Sequence, residues 1–191
     1  MIKSLSATFA AIITSTFLSA SSVGASEGSQ MFYEWLTAKH KLDPNLNTNQ
    51  IVRSVQFNDF LESNISNKTS LYLGMTKAGE NRNFKYHLLE VLGGPPDKIR
   101  FGSDGTILIS GCRYRSCPEK GFVWIDTKED KQGFAIVSYF FNSKVFHSNG
   151  ILVIHSDDFG SKEEFPTKFW KTIDNWLIAE KIYNYETRLI N

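Results

Sequence analysis

An α+β fold, an antiparallel β meander of about five strands covered by N-terminal and C-terminal helices, is the class this sequence predicts. Three observations lead there. Apolar residues recur at helical spacing before residue 93 and again after residue 165. Between these regions lie short runs rich in Ile, Val and Phe, separated by turn residues at roughly regular spacing. The connections between the runs are too short to hold crossover helices, so successive strands pair antiparallel.

The chain opens with Lys3 and an apolar stretch from Leu5 to Leu18, followed by small residues in which Val23 and Ala25 suit a signal peptidase. Residues 1–25 are therefore expected to be a signal peptide cleaved after Ala25. The apolar part is about 14 residues, short of the roughly 20 needed to span a bilayer. The expected location is periplasmic or secreted, with no membrane span after cleavage. Residues 26–191 then form a single α+β domain, a usual size for one core.

Phe32, Trp35 and Leu36 predict a helix over Ser29 to Lys39, and Ile51, Val52, Val55 and Leu61 a second over Asn49 to Glu62. Leu71-Tyr72-Leu73 interrupts a polar loop as a short strand. Phe84, Leu88, Val91 and Leu92 mark a third helix, stopped by Gly93-Gly94-Pro95-Pro96. Strands follow over Lys98 to Phe101, Thr106 to Gly111, Gly121 to Thr127, Gly133 to Phe141 and Gly150 to His155. Phe134-Ala135-Ile136-Val137 and Ile151-Leu152-Val153-Ile154 are apolar on both faces, so the sheet needs cover on both sides. A final helix, Phe165 to Tyr183, carries Phe169, Ile173, Trp176 and Leu177 as one stripe, with Pro166 in its first turn.

Charge narrows the partners. Without Lys3 the chain carries 20 basic and 20 acidic side chains. That balance lacks the basic excess of a nucleic-acid binder, so no nucleic acid is expected. No cofactor and no metal site are expected either, because the Asp and Glu residues show no ligand spacing around His or Cys. His155-Ser156-Asp157-Asp158 contains usable acid/base groups but sits where a strand ends, and His40, His87 and His147 are isolated. Nothing in the sequence argues for an enzyme.

The most informative segment is Cys112-Arg113-Tyr114-Arg115-Ser116-Cys117, between two predicted strands. Two cysteines in an exported chain allow one intramolecular bridge, Cys112 to Cys117. Closing so short a loop is worth roughly 2 kcal/mol through the denatured ensemble. The larger effect is local: the bridge presents Arg113, Tyr114, Arg115 and Ser116 on a constrained tip, and Tyr and Arg are common interface anchors. The bland alternative is a stapled hairpin whose polar tip merely faces water.

Residues 106 to 141 resemble the inhibitor of vertebrate lysozyme family. The likeness lies in the Cys112–Cys117 segment, the apolar strand after it, the turn at Lys128 to Lys131 and the second apolar strand. That family carries a disulfide-closed Cys-Lys-Pro-His-Asp-Cys loop that plugs a lysozyme cleft. By position, Arg113 matches the family's basic residue, Arg115 stands where the family has its inserting His, and Tyr114 and Ser116 replace Pro and Asp. The resemblance implies a protein partner, with a lysozyme-type cell-wall hydrolase as the preferred class. Two other readings stand beside it: a periplasmic immunity-type protein that neutralises a toxin, and an envelope enzyme with a dispersed site.

Overall fold

The computed structural model describes residues 27–65, 70–73, 82–142 and 144–190, so the expected signal peptide and most of the loop after residue 65 lie outside the described residues. Four α-helices flank a six-stranded sheet and a two-stranded one: α1 Glu27–Leu42, α2 Val55–Asn64, β1 Ser70–Leu71, β2 Arg82–Asn83, α3 Phe84–Leu92, β3 Arg100–Phe101, β4 Thr106–Arg113, β5 Ser116–Asp126, β6 Lys131–Ser138, β7 Gly150–His155, α4 Thr167–Ala179 and β8 Tyr185–Ile190. The class is the α+β one that the apolar patterning predicts.

The large sheet runs β3-β4-β5-β6-β7-β8 in chain order. Its first five strands form the antiparallel meander. The sixth, β8, was not foreseen: it pairs parallel with β7, from Gly150 beside Tyr185 to His155 beside Ile190. The expected helix to Tyr183 stops at Ala179. Lys181 turns the backbone into the left-handed region at φ 61°, and the Ile182 amide donates to the Leu177 carbonyl, so the chain leaves the helix and can reach the sheet edge. The expected helix Asn49 to Glu62 also divides. A 3₁₀ turn, Thr48–Gln50, precedes Ser54, whose hydroxyl accepts from the Phe57 amide at 3.2 Å and starts α2 there.

The two-sided apolar runs are covered on both faces. Ile109, Val123, Phe134, Ile136 and Val153 face α1, α2 and α3, where Phe32 stacks on Phe60 with ring centroids 4.5 Å apart. Phe122, Trp124, Val137 and Leu152 face α4, where Trp176 packs edge-on to Phe122 and Phe169 to Trp124. Burying a side chain of this size is worth about 1.5–3 kcal/mol, so this three-layer packing holds the sheet rigid beneath its end loops.

Two histidines serve this packing. His87 is wholly buried and its Nε2 lies 2.9 Å from the Leu71 carbonyl oxygen, while His155 Nδ1 lies 3.1 Å from that of Ile190. Burial lowers both pKa values below the ordinary imidazole value. Asp158 pairs with Lys131 at 3.0 Å and accepts from the Gln132 amide at 2.9 Å, so the His155–Asp158 segment ties strand ends together.

Candidate functional site

Residues Tyr114 and Arg115 are the whole turn between β4 and β5, since Arg113 pairs with Ser116 across the ladder. The register then slips: Cys112 faces Lys120, and Cys117, Pro118 and Glu119 form a bulge on the β5 side. Cys112 and Cys117 face each other at the base of the tip with Cα atoms 4.8 Å apart, within the range a disulfide requires.

The four expected site residues separate into two groups. Tyr114, 66% exposed, and Arg115 stand in solvent, with the guanidinium 5.1 Å from the Tyr114 ring centroid. Ser116 is half-buried. Arg113 is not presented at the tip: its side chain is only 13% exposed and turns back toward the sheet. There its Nη1 donates to Glu90 Oε2 at 2.5 Å, and its Nε lies 2.8 Å from Glu119 Oε2. Electrostatics explains this placement. The bulge drives Glu119 inward to 5% side-chain exposure, and a buried carboxylate needs a cation beside it.

Several contacts therefore hold the tip. Beyond the ion pairs, the stop sequence after α3 packs on its back: Pro96 bridges Gly111, and Gly94 presses directly on the backbone of Cys112 to Tyr114. Arg115 sits at φ 62°, in the left-handed region that glycine normally occupies, at a cost of about 1–2 kcal/mol for an L-residue. The result is a narrow, braced projection bearing one exposed ring and one exposed guanidinium. It can insert into a concave surface and offer two parallel N–H donors to a carboxylate.

Sequence reasoning missed the bracing set. Glu90 lies 23 residues from Arg113 in sequence, and Glu119 looks like an ordinary polar residue after Pro118. The only signal was an acidic residue on each side of a basic loop. Among the described residues, no group of three or more His, Cys, Asp or Glu side chains is placed to hold a metal ion, and no helix is long and apolar enough to cross a membrane. Comparison with protein-family models, with curated proteins and with solved structures finds no match to this chain.

Proposed function

We propose that this is an exported protein that recognises another protein through the Tyr114–Arg115 tip, and that its target is a lysozyme-type cell-wall hydrolase. The observation that carries this reading is an arginine exposed in a strained conformation on a tip braced from behind by Arg113, Glu119, Glu90 and Gly94. Strain of this kind persists where the surroundings hold it, and it clusters at sites of recognition. The cysteine spacing and the leader support the same reading, as does the resemblance over residues 106 to 141.

The chemistry suits the target. Lysozyme-type glycosidases work with two carboxyl groups flanking an open cleft. Arg115 enters as the cation, its fork matching a carboxylate, and Tyr114 adds apolar contact area with little entropy to lose. Arg113 acts as a buttress and takes no part in the contact.

The test is an activity titration of c-type, g-type and i-type lysozymes with the purified, oxidised protein and with Arg115→Ala. Inhibition that weakens at least about tenfold in the variant is the expected result. No inhibition at micromolar protein with any class refutes the target, and inhibition that survives Arg115→Ala unchanged refutes the tip.

A further inference from the structure

Besides the α3–β3 turn packed behind it, the end of the sheet that bears the tip bears two further connections. β4 runs toward this end and β5 away from it, so the β6–β7 loop and the segment joining α4 to β8 emerge there as well: Ser138 pairs with Ile151, and the Gly150 amide donates to the Asn184 carbonyl. Adjacent strands lie roughly 4.8 Å apart, so the β6–β7 connection is offset sideways by about 10 Å from the β4–β5 hairpin, whose tip projects further out.

That loop holds an aromatic side chain that neither core uses. Phe146 is 63% exposed, yet it is fixed between Tyr139, stacked at 5.6 Å, and Phe140, edge-on at 5.8 Å. The loop itself is tied down. The His147 amide donates to the Tyr139 carbonyl at 2.8 Å, and the Asn142 amide to the Tyr72 carbonyl at 2.9 Å. A buried polar chain links it to the tip: Ser138 Oγ donates to the Phe140 carbonyl at 2.8 Å and lies 3.3 Å from Glu119 Oε1, the carboxylate that holds Arg113. An exposed ring held in one orientation is the form an interface anchor takes, because little freedom remains to be lost on docking.

Charge is polarised along the same axis. Arg115, Lys144 and Lys181 are exposed at the tip end and pair with no carboxylate among the described residues. The opposite end carries Asp104, Glu129, Asp157, Glu163 and Glu164 exposed on its turns, outnumbering Lys128 and Lys162 there.

We propose that the β6–β7 loop, led by Phe146 and flanked by Lys144, is a second contact element: with the Tyr114–Arg115 tip it forms one docking surface for a partner with a carboxylate-lined cleft, Phe146 seating on the cleft rim while Arg115 enters it. The proposal rests on the lysozyme-type reading of the tip and adds how the target is gripped. A cationic surface at this end also complements the carboxylates of such a cleft and makes association salt-dependent.

The test uses the oxidised full protein purified from the envelope fraction, with Phe146→Ala and Lys144→Glu titrated beside the unaltered protein against c-type, g-type and i-type lysozymes. Thermal unfolding serves as the fold control. Phe146→Ala is expected to raise the half-inhibitory concentration at least about tenfold with an unchanged unfolding midpoint. Lys144→Glu, which alters only an exposed side chain, is expected to slow association and flatten its salt dependence. If the unaltered protein inhibits and both variants match it within about twofold, the second element is overturned while the tip reading stands. If no lysozyme class is inhibited, both are overturned.

Discussion

Gly94 supplies the sharpest test of how the tip is held. Its φ lies outside the left-handed region, so space, not backbone freedom, is what demands glycine there. A Cβ built at this position lies 2.1 Å from the Cys112 carbonyl oxygen, 2.5 Å from the Tyr114 amide nitrogen and 2.8 Å from the Arg113 carbonyl carbon. All three are backbone atoms of a hairpin fixed by its ladder and by the cysteine pair, and Pro95-Pro96 stiffens the other side. To reach an ordinary contact near 3.4 Å, the two segments must separate by about 1.3 Å. Overpacking of this sort costs about 1–3 kcal/mol, and with rigid backbone on both sides Gly94→Ala falls at the upper end. Alanine's smaller unfolded-state entropy offsets about 0.4–1 kcal/mol of that. A net loss of about 2 kcal/mol corresponds to a midpoint about 4–8 °C lower for a domain of this size. Urea denaturation of oxidised Gly94→Ala measures the loss, and amide chemical shifts of residues 112–116 report the displaced tip. A loss under about 0.5 kcal/mol with unmoved tip amides would refute the claim that the α3–β3 turn braces the hairpin.

Two further outcomes follow from the buried charges. Arg113→Met strands the Glu119 carboxylate and is expected to cost about 3 kcal/mol; adding Glu119→Gln should recover at least about 1 kcal/mol of it, and strictly additive losses in urea denaturation would disprove the pairing. His87 and His155 have folded pKa values below their unfolded value near 6.5, so the unfolded chain binds more protons as pH falls. Their contribution is complete above about pH 6.5 and is lost below it, toward the folded values. The urea midpoint should therefore drop between pH 7 and pH 5, before the lowered carboxyls of Asp43 and Asp104 begin to protonate. A flat midpoint over that interval counts against both assignments.

Much of the sheet could be read from the chain because its physics is local. Runs such as Ile151 to Ile154 are apolar on both faces, and only a strand covered twice explains them. β8 escaped because Tyr-Glu-Thr-Arg-Leu-Ile is a half-polar edge segment, and because Lys181 ends the preceding helix at a position where glycine is the usual signal. The tip was legible as a constrained loop from its cysteines. The inward turn of Arg113 was not: it depends on a bulge that rotates Glu119 into the interior and on a helix residue brought alongside by tertiary packing. Phe146 was hidden for a related reason, since an aromatic residue in a turn-rich segment cannot be told from a core residue until both cores are seen to form without it.

Non-glycine residues with left-handed backbone are concentrated at the tip-bearing end of the sheet, where Arg115, Asn142 and Lys181 lie in the β4–β5, β6–β7 and α4–β8 connections. Glycine at any of these positions would relieve backbone strain, so they are the obvious targets for anyone seeking a more heat-resistant variant. Two of the three would also surrender an exposed cation from the same surface. Thermal improvement and the proposed target recognition thus compete for the same codons, and a stability screen run without a binding readout would select against the activity proposed for this protein.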